Sequence, residues 1–180
     1  FPKGMNKMLN GMARTLPKNM KGRNFLLRGT TPLEQRFVGN ANIYTEEEKK
    51  AFLKQFHNDQ SYMDITGPIY QKNKYLDDTT RMQDIDMHTW LVDDLLHNAD
   101  RTTMASSLEL RTPFLDKEVF AVASKIPTEL KFKNNTSKYL LRKAAEEFVP
   151  EHVLYRKKLG FPVPIRFWLK DELYDWARGI

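Results

Sequence analysis

The sequence predicts a mainly α fold, and three observations carry that expectation. Apolar residues recur at helical spacing, first at Met5, Met8, Leu9 and Met12. Helix-start chemistry recurs with them, most plainly where Thr45 precedes Glu46, Glu47 and Glu48. The alternation of apolar and charged residues that marks a strand is met in one short stretch, Leu108-Glu109-Leu110-Arg111.

Composition sets the outer bounds. With 180 residues, 41% of them hydrophobic, the chain has material for one domain with a sizeable core. A net charge of +6 points to anionic partners, a class that includes nucleotides, acidic substrates, nucleic acids and membrane surfaces alike. The absence of cysteine removes disulfides, thiolate metal sites and a cysteine nucleophile, and agrees with a reducing cytosol. No apolar run approaches the roughly 18 residues of a membrane span, and Phe1 opens no signal peptide, so the chain reads as soluble. It starts without Met and stops directly after an amphipathic segment; it is expected to be a piece of a larger protein.

In order along the chain, the Met5–Met12 series predicts a helix ending near Leu16-Pro17, with its methionines as packing residues. Residues 18–28 are basic, punctuated by Gly22 and Gly29; they read as a solvated loop, with an anion-contacting face as the functional alternative. Thr31 with Pro32 predicts an N-cap and a first helical position, and Thr45 predicts a capping box leading into Ala51, Phe52, Leu53 and Phe56. Between His57 and Asp78, loops and short helices are expected, with Gly67-Pro68 as a turn. Met82, Ile85, Trp90 and Leu91 then follow helical spacing, and Asp93-Asp94 read as the acidic first turn of the next helix. Thr112-Pro113 stops the alternating stretch, and Asp116 caps a helix with Val119, Phe120, Val122 and Ala123 on its buried face. Ile126-Pro127 ends it. Thr136-Ser137 is read as the cap of a helix to Phe148 whose inward stripe is Leu140, Leu141, Ala144, Ala145 and Phe148, leaving Lys138, Arg142 and Lys143 on a solvated face. A final amphipathic helix through Ile165, Trp168, Leu169, Leu173 and Trp176 is expected to pack on the rest. His57, His88, His97 and His152 sit in no ligand pattern, and no metal site is expected among these residues.

Two stretches carry unusual chemistry. From Asp93 to Asp116 an apolar helix holds Asp100-Arg101 in its middle and gives way to the Glu109/Arg111 alternation. Buried charges of this kind must be paired or must line a cleft, so a structural ion-pair network and a catalytic cleft both remain open. The second stretch is Tyr155-Arg156-Lys157-Lys158-Leu159-Gly160-Phe161-Pro162, in which three cations meet a glycine and a proline. It reads as a basic surface turn or as a loop able to bring a lysine onto an anion.

Asp100-Arg101-x-x-Met104-Ala105-x-Ser107-Leu108-Glu109-x-Arg111-x-Pro113-Phe114-Leu115-Asp116 resembles the signature of the synthetase domain of glutamine-hydrolysing asparagine synthetases. The resemblance continues through Ser137-Lys138-Tyr139-Leu140-Leu141-Arg142-Lys143-Ala144, Val149-Pro150-Glu151 and Arg156-Lys157-Lys158-Leu159-Gly160-Phe161-Pro162-Val163-Pro164. It spans Met82 to about Leu169 in the family's order; upstream it is general. It implies that residues 1–180 are a partial synthetase domain, the helical second half of an α/β adenine-nucleotide α-hydrolase-like (ATP pyrophosphatase-type) domain. The implied parent is a cytoplasmic ligase. It adenylates aspartate with ATP and lets ammonia, released from glutamine by a glutaminase domain, displace AMP to give asparagine and pyrophosphate. Mg2+ would accompany ATP, held mainly by residues outside this chain, and a homodimer is an option for the full-length protein.

Residue by residue, Lys158 matches the family's active-site lysine, which stabilises charge on the α-phosphate and pyrophosphate. Glu109 and Asp100 are carried over as cleft-lining, with Glu109 as a catalytic residue beside Lys158. Asp100, Arg101 and Arg111 are carried over as substrate-binding residues, the two arginines as supports. The Ser-Gly-Gly-x-Asp-Ser loop and the amino-terminal cysteine domain are absent, so the chain alone is expected to be inactive. Leu91-Val92 replaces the family's Leu-Pro, and Asn98-Ala99 stands where it has a lysine. Three other readings stay beside this one: a related lactam-forming or peptide-modifying synthetase, a basic helical nucleic-acid-binding module, and an interaction module whose ion pairs are structural. The cations are distributed instead of striped, which speaks against nucleic acid, and nothing suggests a membrane partner.

Overall fold

The computed structural model describes residues 3–17, 19–40, 43–56, 61–158, 160 and 163–180; His57, Leu159, Phe161 and Pro162 lie outside them. The described residues are mostly helical, as the sequence predicts, and the chain divides into two units, Phe1–Lys125 and Ile126–Ile180. No helix among the described residues is long and apolar enough to cross a membrane.

The first unit opens with a helical hairpin of α1 (Lys3–Thr15) and α2 (Arg23–Thr30). The methionine stripe is not its packed face: Met8 and Met12 are exposed, while Ala13 is fully buried and Leu9 and Asn10 are half-buried. The inward face is thus rotated towards Asn6, Asn10 and Ala13, because Asn10 donates from Nδ2 to Oγ1 of Thr30 and of Thr31, at 2.9 and 3.0 Å. The loop expected up to Arg28 is largely α2, entered through Gly22 at φ +88°. A left-handed residue there suits glycine, and Gly29 is absorbed into the helix. With the Thr31 hydroxyl engaged by Asn10, the cap of α3 (Leu33–Arg36) falls on Pro32, one residue later than expected, without a side-chain bond.

Local signals fix the next starts. Thr45 and Glu48 form the expected capping box on α4 (Glu46–Phe52), with Glu48 N donating to Thr45 Oγ1 and Thr45 N to Glu48 Oε2. A second box, Ser61 with Asp64, starts α5 (Tyr62–Lys72), and this helix runs through Gly67-Pro68, where a turn was expected. Pro68 removes one i→i−4 bond, but the box at one end and the burial of Thr66 and Tyr70 hold the helix across it. Asp77 caps α6 (Asp78–His88).

The core of this unit is Leu33, Tyr70 and Ile85, with Phe37, Ile69 and Met82 packed against it. Tyr70, 2% exposed, donates its hydroxyl to Phe37 O at 2.7 Å, and burial pushes its pKa up to about 12. Arg81 lies 5.1 Å over the Tyr70 ring and pairs with Glu34. The Glu34 carboxyl is held below the usual range by a backbone hydrogen bond and then by Arg81. Asp86 receives Asn40 N and Nδ2 at 3.0 and 2.7 Å; burial raises its pKa against the backbone N–H, which lowers it. Between them, Gly39 adopts φ +101°, and a Cβ there would come within 3.2 Å of Thr89 Oγ1.

In the second unit, α9 (Thr128–Lys131) leads into an antiparallel hairpin of β1 (Phe132–Lys133) and β2 (Thr136–Ser137). Thr136-Ser137 is therefore a strand and not a cap. Asn134 and Asn135 supply the two left-handed turn residues, at φ 51° and 56°, that a tight two-residue hairpin needs. After Lys138, also left-handed at φ 57°, come α10 (Tyr139–Ala145) and α11 (Glu151–Leu154). α10 stops at Ala145, short of the expected end at Phe148, and the expected stripe is mostly outward: Leu141 and, beyond the helix, Phe148 are exposed, and only Leu140 and Ala145 are half-buried. The expected final helix is two short ones, α12 (Ile165–Trp168) and α13 (Tyr174–Arg178), separated by turns, and their apolar side chains are exposed instead of packed.

Candidate active site

The Asp93–Asp116 stretch belongs to the first unit. Thr89, at φ −126° and ψ −88°, breaks α6, and a π-helical segment Trp90–Leu96 follows before α7 (His97–Met104). Asp93 therefore does sit in the first turn of a helix, this wide one, as expected, while Asp94 lies one position further in. The Asp94 carboxylate has a local occupation: it accepts Trp90 Nε1 and Asn98 Nδ2, each at 2.6 Å. These bonds one turn either side brace the segment where the helix changes pitch. Segments of π-helix cluster at functional sites because they re-aim the side chains that follow.

Asp100 and Arg101 project from α7 as exposed side chains and make no ion pair among the described residues. The helix closes in a Schellman arrangement, with Leu108 N donating to Thr103 O at 3.0 Å and Ser107 N to Met104 O at 2.9 Å. Ser107 fills the left-handed position, at φ 55°, where glycine is usual. A β-branched side chain tolerates that conformation worst, so Ser107→Val is expected to cost about 1–2 kcal/mol, while Ser107→Gly is neutral or stabilising. Urea titrations check this, and equal midpoints for the two variants would contradict a left-handed cap.

Past this cap residues 108–112 form neither helix nor strand, and Glu109 and Arg111 come together there. Arg111 Nη2 meets Glu109 Oε1 at 2.5 Å, with the side chains 82% and 70% exposed. The expectation of a charged core is corrected here: Asp100, Arg101, Glu109 and Arg111 are all at the surface, so no burial cost compels their pairing. An ion pair so open to water adds little stability. The arrangement offers two carboxylates and two guanidiniums to solvent within a dozen residues. Asp116 does cap α8 (Lys117–Ala123), accepting Glu118 N and Val119 N at 2.8 and 3.3 Å, but Val119, Phe120 and Val122 are exposed and not on a buried face.

Lys158 belongs to the second unit and follows α11 as an exposed side chain with no ion pair among the described residues. The chain leading to it is firmly held. Arg142, expected on a solvated face, donates from Nε to Ser137 O at 3.1 Å and from Nη1 to Leu154 O. Tyr155 donates its hydroxyl to Glu146, which also accepts Lys143 Nζ at 2.7 Å. The bond to Lys143, then that to Tyr155, lowers the Glu146 pKa, and the bond to Glu146 raises both Lys143 and Tyr155. Sequence reasoning missed Arg142, Glu146 and Tyr155 as supports, since their spacing signals only an amphipathic helix.

Among the described residues no group of three His, Cys, Asp or Glu side chains is placed to hold a metal ion. Exposed Lys158 and the arginine forks suit phosphate or carboxylate oxygens chemically.

No solved structure matches the chain. The family model described as Asparagine synthase matches residues 5–180. The likeness therefore extends well upstream of Met82, through α1 to α5. The glutamine-hydrolyzing asparagine synthetase 1 of Bacillus subtilis (strain 168) is 56% identical over 180 residues, 100% of this chain and 28% of that protein. A Mycobacterium tuberculosis (strain ATCC 25618 / H37Rv) protein provisionally named a glutamine-hydrolyzing asparagine synthetase is 48% identical over 178 residues, 98% of this chain and 27% of that protein. The glutamine-hydrolyzing asparagine synthetase of Gallus gallus is 46% identical over 66 residues, 35% of this chain and 12% of that protein. The chain thus spans little more than a quarter of the first two relatives. With a family match that covers all but its first four residues, the chain belongs to the asparagine synthase family.

Proposed function

We propose that this chain is part of the synthetase domain of a glutamine-dependent asparagine synthetase, within an adenine-nucleotide α-hydrolase-like fold. The observation that carries the reading is the 56% identity, along the whole chain, to a relative named for that activity. In the first step a β-carboxylate oxygen of aspartate attacks the α-phosphorus of ATP, and the bond to pyrophosphate breaks. In the second, ammonia from a glutaminase domain attacks the activated carbonyl carbon; the bond to AMP breaks, and ammonia gives up a proton.

Lys158 offsets the charge gathering on the α-phosphate and the leaving pyrophosphate, a role suited to a lysine not engaged by any carboxylate of the described residues. Glu109 and Asp100 line the substrate cleft, and Arg101 and Arg111 support it through their planar forks. Mg2+ would be held mainly by residues outside this chain, and it would supply charge screening for the phosphates of ATP. Cytoplasmic location and a homodimer belong to the same reading.

The test is Glu109→Gln in the intact protein. Because the Glu109–Arg111 pair is open to water, the exchange is expected to leave the melting temperature unchanged while lowering aspartate-dependent AMP and asparagine formation roughly 100-fold or more. Undiminished asparagine formation, or a large fall in melting temperature, would return Glu109 to a structural role.

A further inference from the structure

We propose that the cleft between α1 and the α2–α3 segment binds a phosphate-chain anion, of the inorganic pyrophosphate or tripolyphosphate type, through Arg14 and Lys7. The cleft measures about 470 Å³, within the range of small-ligand sites, and is lined by Asn6, Lys7, Asn10, Arg14, Thr31 and Gln35 among others. None of these residues is assigned a part in adenylation, so the inference stands apart from the proposed function.

The cleft is cationic by construction. No acidic residue precedes Glu34, whereas lysines and arginines recur from Lys3 to Arg28, and Glu34 itself is occupied by Arg81. Neither Lys7 nor Arg14 has an acidic partner among the described residues.

Arg14 is also aimed before any ligand arrives. Its Nε donates to Asn10 Oδ1 at 2.9 Å, while the Asn10 amide nitrogen is shared between Thr30 Oγ1 and Thr31 Oγ1. This relay fixes the guanidinium through one nitrogen and leaves the two terminal nitrogens of the fork for an oxyanion. Preorganisation of this kind reduces the ordering cost of binding. The Thr31 oxygen accepts from Asn10, so its own O–H remains a donor.

The spacing selects the class of anion. Lys7 and Arg14 are seven residues apart on one helix, two turns or roughly 10 Å along the axis. A single carboxylate engages one of them, whereas an extended chain of phosphates engages both, with the Asn6 and Gln35 amides also lining the cleft.

Hydrogen exchange on the intact protein, with and without tripolyphosphate as the probe, reads the site directly. Protection is expected in α1 and across α2–α3, together with a bound anion whose affinity falls at least tenfold in Arg14→Gln and in Lys7→Gln. Gly29→Leu supplies an independent block: it lines the cleft, and a Cβ there meets no atom within 4 Å. All three variants are expected to keep their melting temperature and their asparagine-forming activity. The inference is overturned if tripolyphosphate protects neither segment, or if protection persists undiminished in the folded variants. It is likewise overturned if binding disappears in Lys158→Ala while surviving in Arg14→Gln, or if single-stranded RNA displaces the probe with an affinity that grows with RNA length.

Discussion

Lys158→Ala in the intact protein is expected to lower aspartate-dependent pyrophosphate release by roughly 10²–10³-fold, the usual effect of removing one donor to charge that develops in a transition state. The folded state is expected to be unaffected. Lys158 is exposed and engages no carboxylate among the described residues, so its ammonium has no structural bond to lose. The neighbouring supports bind elsewhere: Arg142 holds the Ser137 and Leu154 carbonyls, and Glu146 holds Tyr155. Pyrophosphate release at the wild-type rate would sink the assignment. A collapsed melting temperature would show that the lysine is structural. Lys158→Arg supplies a finer reading, since it keeps the charge but changes its shape.

The largest expected loss of stability is at Ile85. Its side chain is 0% exposed and packs with Leu33 and Tyr70 in the small core of the first unit. Ile85→Ala removes buried methyl and methylene groups and leaves a void that the surrounding helices fill only in part, at a cost of roughly 2–5 kcal/mol. Val122→Ala is the matched control: Val122 is 67% exposed, and its truncation is expected to shift stability by less than about 0.5 kcal/mol. Chemical denaturation of the intact protein, followed through a probe in the first unit, separates the two. Equal midpoints would mean that Ile85 is not a core residue.

What could be read in the sequence is what depends on a few neighbouring residues. Thr45 with Glu48, and Asp116 before Glu118 and Val119, cap their helices as expected, because a cap is chemistry among residues two or three apart. The family was legible for the same reason, since its signature block is contiguous. Faces were not legible. The methionines of α1 and the valines of α8 follow a helical period, yet a period gives only the presence of an apolar side and not the partner that would bury it. Spacing also missed the relay from Thr30 and Thr31 through Asn10 to Arg14, which joins residues some 20 positions apart. The charged stretch misled in a particular way: alternation over residues 108–111 suggested buried ions, but after the left-handed cap at Ser107 those residues form neither helix nor strand and are exposed. The Asn134-Asn135 turn was the recoverable omission, since adjacent asparagines between short strand-like pairs mark a tight hairpin.

The grip of Arg142 on the Leu154 carbonyl sets a tether length. With the backbone fixed at Leu154 and Tyr155 anchored to Glu146, Lys158 follows that anchor by three residue steps. Fully extended, they reach about 10 Å. Whatever path the segment takes, the ammonium is confined to a small volume about Tyr155, where a short tether corresponds to an effective concentration in the millimolar range. Cutting that tether by Tyr155→Phe and Arg142→Ala would dilute the lysine without removing it, turning a question of chemistry into one of local concentration.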